Sequence, residues 1–215
     1  KSTNIMVQSE AHTTLPTDYG TFQAYAFPEG DLCHMCLVYG ELDVTQPVLV
    51  RFHSKCTTGD VFSSQRCDCR AQLVEAIRII QEAGSGIIVY LDQEGRGIGL
   101  LAKLQAYELQ EKQGLDTVDA NLALGHPIDA RTYDLAIEML RSLGVSKVTL
   151  LTNNPRKLAS LERAGFEVSR REVFTGASPF NAGYLATKRE RLDHQLPMLL
   201  EMASVGADER VIDAI

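Results

Sequence analysis

Three cysteines, Cys56, Cys67 and Cys69, spaced C-x10-C-x-C, constrain this chain more than any other feature. Sulfurs so spaced meet at one point when the residues between the first two form a loop. A thiolate trio suits zinc, a borderline-soft ion bound tetrahedrally by sulfur and nitrogen. A structural zinc takes four protein ligands, and a catalytic zinc takes three and keeps one position for water. No fourth cysteine lies close by, and His53 stands three residues before Cys56. The residues alone therefore allow a closed site with His53 or an open site of three sulfurs.

The odd count of five cysteines in 215 residues, with metal-like spacing, favours a reducing compartment, and a cytoplasmic protein is expected. There is no apolar run of 18 residues and no signal-peptide pattern, so no membrane partner is expected. The net charge of -7 argues against nucleic acid as a partner. An anionic ligand would need a local cluster of Arg and Lys.

Hydrophobic periodicity divides the chain. Up to His53 the pattern is that of short strands: Thr21 to Phe27, Cys33 to Tyr39 and Pro47 to His53, separated by turns at 15–20 and 28–31. Alternation puts Cys33 and Cys36 on opposite faces, so Cys33-His34-Met35-Cys36 reads as strand and not as a second metal site. From Arg70 onward helical spacing alternates with apolar runs. Helices are expected over 70–82, 100–113, 117–124, 133–143, 155–164, 184–192 and 194–200, and strands over 86–92, 147–151 and 166–173. The fold class is α/β (α+β): mainly antiparallel N-terminal strands with a zinc loop, then strands and helices alternating in a mixed sheet. A flexible segment over 1–14, one domain over 15–200 and a C-terminal extension over 201–215 are expected.

Three further stretches carry chemistry. Glu94-Gly95-Arg96-Gly97-Ile98-Gly99 leads from a strand into a helix, where backbone N–H groups approach an anion, and Arg96 adds a bidentate donor. Glu94 does not suit a pure phosphate cradle; its carboxylate suits the N–H donors of a purine. Asp129-Ala130-Arg131 puts an acid near a base, an arrangement more often structural than catalytic. Thr152-Asn153-Asn154-Pro155-Arg156-Lys157 is a helix start, and a cation in a first turn opposes the dipole, which favours Lys157 reaching for an anion.

Taken together, His53-Ser54-x-Cys56-x-Thr58-Gly59-Asp60, Arg66-Cys67-Asp68-Cys69, Gln93 to Gly99, Asp116-Thr117-x-x-Ala120-Asn121 and Leu150 to Pro155 resemble the GTP cyclohydrolase II family, from about Leu15 to Leu200. The resemblance implies hydrolysis of GTP at C8 of its guanine ring, release of formate and pyrophosphate, and entry into riboflavin synthesis. It implies one zinc per chain on Cys56, Cys67 and Cys69, with His53 free, and magnesium on the triphosphate. GTP would be held by Arg51, Phe52, His53, Ser54, Lys55, Gln72, Glu94, Gly95, Arg96, Thr117, Thr152 and Lys157. Asp129 matches the proton acceptor, Arg131 the nucleophile at the α-phosphorus, and Tyr107 a tyrosine of the ring chemistry. A homodimer is implied as well. Because a guanidinium is normally protonated, a purely electrostatic Arg131 is the chemical alternative.

Three residues depart from the family pattern: Lys55 where Glu is usual, Asp92 where Arg is common, and Arg70 where Gly is frequent. The first two exchange charge sign, so they compensate if they face each other. Two other readings differ in chemistry. One stops after ring opening and keeps the formyl group, and Tyr107 argues against it. The other is a silent, zinc-stapled nucleotide-binding regulator, which would lack a zinc ligand or Asp129 and Arg131.

Overall fold

The computed structural model describes residues 8–173, 175–176 and 180–196. A seven-stranded mixed sheet runs through it: β1 (Ala11–Thr17), β2 (Gly20–Glu29), β3 (Leu32–Tyr39), β4 (Val48–Ser54), β5 (Gly86–Leu91), β6 (Lys147–Leu151) and β7 (Glu167–Arg171). The spatial order is β1-β2-β3-β5-β4-β6-β7. β1, β2 and β3 form an antiparallel meander, and β3 is antiparallel to β5. β4 is parallel to both β5 and β6, and β6 is parallel to β7. The helices are α1 (Thr57–Asp60), α2 (Cys69–Ala83), α3 (Leu100–Gln113), α4 (Thr117–Ala123), α5 (Asp134–Ser142), α6 (Pro155–Arg163) and α7 (Ala182–Arg191), with a 3-10 turn at Glu94–Gly97. The mixed-sheet class read from the sequence is the one observed.

Strand alternation sorts side chains into two apolar layers. Val50, Phe52, Ile87, Val89 and Leu91 pack with Ala136, Met139 and Leu140 of α5 and Leu161 of α6. On the other face Phe22, Ile88 and Leu151 meet Ala76, Ile77, Ile79 and Ile80 of α2. Helix α2 stops at Gly84, whose φ of 83° is the left-handed cap geometry that glycine adopts without strain. Both faces of β4 are covered, so its polar residues Arg51 and His53 are carried into the interior. As expected, Cys33 is exposed and Cys36 buried.

Two expectations for the N-terminus fail. Ala11–Thr17 is a strand where frayed chain to Thr14 and a turn at 15–20 were expected. The strand is exposed along its whole length, so it carries no burial pattern to read. Its pairing with β2 and side-chain contacts hold it: His12 stacks on Tyr25 and bonds Gln23 at 3.0 Å. The segment 194–196 is not helical, and the rest of the helix expected there lies outside the described residues.

A candidate metal centre beside a cationic cleft

The chain leaves β4 toward β5 on one side and returns through β6 on the other, so β4 is a switch point of the parallel strands. Ligands of open α/β sheets bind outside the carboxyl ends of the strands at such a point. The loops after β4, β5 and β6 all line one cavity here.

The sulfur end comes first. The thiol sulfurs of Cys56, Cys67 and Cys69 lie within 4.8 Å of one another, the one such metal-binding group among the described residues. Gly59 leaves room for them: a Cβ there would stand 2.9 Å from Cys67 Sγ and 3.2 Å from Cys56 Sγ. The three thiols titrate together. Hydrogen bonds from Cys67 and Cys69, and the charge of Lys103, hold Cys56 far below its ordinary value. The hydrogen bond with Cys56 pushes Cys67 up to about 11 and Cys69 well above its usual value. Three converging sulfurs around a glycine fit a soft cation such as zinc.

His53 does not join the three sulfurs in the metal-binding group. Its Nε2 lies 3.1 Å from Asp60, and Asp60 also accepts the Cys56 N–H at 3.0 Å and the Tyr90 hydroxyl at 2.9 Å. Burial lowers the His53 pKa, against the pull of Asp60.

Glu94 is turned inward. It accepts the Thr57 N–H at 2.6 Å on one oxygen, and the Gly95 N–H at 2.8 Å and Lys103 at 2.9 Å on the other. Lys103 also donates to Cys56 Sγ at 3.1 Å. The carboxylate expected to read a purine therefore ties the glycine loop to the metal loop. Arg96 sits at φ 61°, left-handed for a residue with a side chain, in a loop tied down where Ala130 N–H donates to Arg96 O at 3.0 Å.

The other end is cationic. Arg51, Arg96, Arg131, Lys157 and Lys188 all line the cavity. Arg51 donates to Leu151 O at 3.0 Å and to Gln72 at 2.6 Å, and its Nε is buried without a partner. Both terminal nitrogens of Arg96 are likewise buried and unpaired. Buried donors are ordinarily satisfied, so such orphans mark the place of an acceptor. Burial and then the charges of Arg51, Arg131 and Lys188 drive Lys157 well below its usual pKa. Its ammonium is held by the Phe52 carbonyl at 2.7 Å.

Asp129 and Arg131 form a two-bond pair, Nε to Oδ1 at 2.9 Å and Nη2 to Oδ2 at 2.8 Å, and Arg156 adds a contact at 2.8 Å. Burial opposes both charges, yet the partners prevail: Asp129 is held below the usual carboxylate range and Arg131 above the usual guanidinium one. Tyr107 is pushed up to about 12, mainly by burial, with Arg66 4.2 Å above its ring.

Of the residues expected to hold GTP or act on it, Arg51, His53, Ser54, Lys55, Gln72, Glu94, Gly95, Arg96, Tyr107, Thr117, Arg131, Thr152 and Lys157 line the cavity with the three cysteines. Phe52 does not: its side chain is in the core, and only its carbonyl bears on the site, through Lys157. Asp129 stands behind Arg131. Lys55 and Asp92 do face each other, at 3.0 Å. Arg70 bonds the Asp60 carbonyl at 2.9 Å. Sequence reasoning missed Lys103, Tyr184, Lys188 and His194, all cavity residues. A cation in the first turn of α3 was a signal for Lys103, as it was for Lys157. Nothing local singles out the other three.

An α/β protein with a three-sulfur cradle and buried guanidinium groups in one cavity is suited to hold a metal ion and an anionic ligand together. Residues 8–173 match the family model described as GTP cyclohydrolase II. A GTP cyclohydrolase-2 of Streptomyces coelicolor is 53% identical over 192 residues, 87% of this chain and 86% of its own. Proteins named riboflavin biosynthesis protein RibBA are similar too: that of Bacillus velezensis is 50% identical over 89% of this chain and 49% of its own, and that of Parabacteroides distasonis 47% over 90% and 48%. Among solved structures, a two-domain 3,4-dihydroxy-2-butanone 4-phosphate synthase from A. baumannii, RibBX, is similar at TM-score 0.44 and 23% identity, over 78% of this chain and 40% of its own. The chain belongs to the GTP cyclohydrolase II family. It spans about half the length of the RibBA relatives it matches.

Proposed function

We propose that this chain hydrolyses GTP, opening the guanine imidazole ring at C8 and releasing formate and pyrophosphate. The product would be 2,5-diamino-6-(5-phosphoribosylamino)pyrimidin-4(3H)-one, in the first step of riboflavin biosynthesis. The observation that carries the reading is one cavity that joins a three-sulfur cradle to buried, unpartnered guanidinium nitrogens. A nucleoside triphosphate has the two ends such a cavity needs. Magnesium enters as the counter-ion of the triphosphate.

Cys56, Cys67 and Cys69 would hold zinc, which would supply Lewis acidity and acidify water. Arg51, Arg96 and Lys157 bind the phosphates, with Gln72 orienting Arg51. The loop around Ser54 and Lys55, with Gly95 and Thr117, shapes the nucleoside end, and the Thr152 hydroxyl holds the start of the phosphate loop by accepting the Asn154 N–H at 3.0 Å. Glu94 aligns the metal loop through Thr57 N–H. Tyr107 stays a neutral phenol, able to donate a hydrogen bond to the opening ring. Arg131 keeps its proton, because Asp129 binds the guanidinium as a cation. We therefore assign Arg131 an electrostatic role at the α-phosphorus, where water is the nucleophile and pyrophosphate the leaving group, with Asp129 fixing the guanidinium plane.

The unit of function is one domain, extended at its start to β1, in a cytoplasmic homodimer. The largely exposed Phe62 and Leu101 support such an apolar contact. No helix among the described residues is long and apolar enough to cross a membrane. The test is mass spectrometry of GTP incubated with zinc-loaded protein and magnesium. Formate and pyrophosphate released in step with GTP loss are expected. Pyrophosphate without formate would reduce the reaction to ring opening, and intact GTP despite tight binding would overturn the reading.

A further inference from the structure

The match to the family model ends at residue 173, yet the cavity does not. Helix α7 brings Tyr184 and Lys188 into it, and His194 follows. Lys188 is buried, and its ammonium lies 2.6 Å from Asp68 Oδ1 and 4.5 Å from the Tyr184 ring centroid. Asp68 sits between two of the cysteines. Its second oxygen accepts Gln72 Nε2 at 2.5 Å, and Gln72 in turn accepts Arg51 at 2.6 Å. One carboxylate thus fixes a lysine directly and an arginine through an amide. Farther along, Gln195 N–H donates to Asn153 O at 3.0 Å, joining the segment after α7 to the loop that leads into α6, the helix of Lys157.

A plain ion pair would explain Lys188 if the charges around it balanced. They do not. The charge of Lys188 acts on Lys157, and Lys188, Lys157, Arg131 and Arg96 all act on His194, whose pKa burial and these cations hold at about 2. Asp68 is already shared with Gln72, Asp129 is taken up by Arg131 and Arg156, and these two carboxylates do not balance Arg51, Arg96, Arg131, Lys157 and Lys188. Lys188 keeps two N–H donors beyond its bond to Asp68. From this convergence we infer that α7 is part of the nucleotide site, with Lys188 a phosphate-contacting cation and Asp68 its positioning partner. The inference rests on the GTP reading and extends it: Lys188 stands with Arg51, Arg96 and Lys157 around the triphosphate. The acceptor they share is a polyphosphate, and guanosine alone does not engage Lys188.

The experiment is calorimetric titration of the zinc-loaded full chain with magnesium tripolyphosphate and with guanosine; GTP, which would be consumed during a titration, is followed through its KM. Wild type and K188Q are compared, with melting curves taken to verify the fold. Loss of one charge-assisted contact weakens binding on the order of tenfold or more. That loss is expected for tripolyphosphate and in the KM for GTP, with guanosine unchanged and K188R restoring most of it. Equal tripolyphosphate affinity in wild type and K188Q, while wild type turns over GTP, overturns the role of Lys188 and leaves the GTP reading standing. A wild type that neither turns over GTP nor binds tripolyphosphate overturns both. Hydrogen exchange on the wild type needs no variant. Tripolyphosphate should slow exchange in the peptide over 182–191, and unchanged exchange there counts against α7 even if K188Q fails to fold.

Discussion

The two ends of the cavity are built in opposite ways. The sulfur end comes from fourteen residues of contiguous chain, Cys56 to Cys69, folded around Gly59. The cationic end is collected from β4, the loop after β5, the 129–131 loop, α6 and α7. The first can form wherever its loop forms. The second exists only when the sheet brings its carboxyl ends together. Their electrostatics differ too: at the sulfur end Lys103 donates to Cys56, an attraction of opposite charges, whereas the arginines and lysines of the other end repel one another and are held by the surrounding fold. Local geometry thus suits metal binding, and tertiary assembly suits the placement of a cluster that would fly apart on its own.

The strongest break in this comparison is removal of a sulfur. Zinc binding of about 10–16 kcal/mol shared over four ligands makes one ligand worth roughly 10²–10³-fold in affinity. C67S should lose zinc by that factor in chelator competition, with formate release falling in step, while polyphosphate binding at the other end stays near wild type. Loss of both together would mean the ends are not separable. Next is R131K. A lysine cannot make the two parallel bonds to Asp129, and misplaced charge at a transferring phosphate costs roughly 10²–10³-fold in turnover. A small change in turnover would remove the electrostatic assignment.

Lys157 sharpens the contrast because its charge works against folding. Its folded pKa lies below 10.5, so the unfolded chain binds more protons in the window between the two values, and stability rises with pH there. As pH falls from 10.5 through the folded pKa, that cost grows to its full size. K157M should abolish this slope and raise the melting temperature of the ligand-free protein at neutral pH, at roughly 2–4 °C per kcal/mol, while weakening GTP binding. A lower melting temperature would show that the Phe52 carbonyl bond outweighs the burial. The smallest effect belongs to Lys55 and Asp92, a pair partly open to solvent. K55E and D92K should each cost a few tenths to ~1 kcal/mol in urea unfolding. The double variant should recover most of it, and additive losses would deny the compensation.

Much of this was legible in the residues. The trio Cys56, Cys67 and Cys69, the glycine loop and Lys157 at its helix start follow from spacing and sign, and the charge exchange of Lys55 with Asp92 from their departure from the family pattern. So did the core strands and helices, whose apolar periodicity is strong. Strand β1 was illegible because an exposed edge strand buries nothing and so leaves no alternation. The inward turn of Glu94 was illegible because its partners, Thr57 N–H and Lys103, lie on other segments. Phe52 shows the same limit from the other side: it neighbours Arg51 and His53 in sequence, yet strand alternation sends its ring into the opposite layer.

The sequence by itself determined which atoms can bind a metal, because a C-x10-C-x-C spacing brings sulfurs together through one local loop. It also determined the alternation of strands and helices, because burial period is written residue by residue. Only the tertiary structure decided that Lys188, 120 positions from Asp68, shares a carboxylate with the metal loop and a cavity with Arg51. Contacts of that kind depend on the order in which strands pack, and strand order comes from the energy of the whole sheet, which no single stretch of chain encodes.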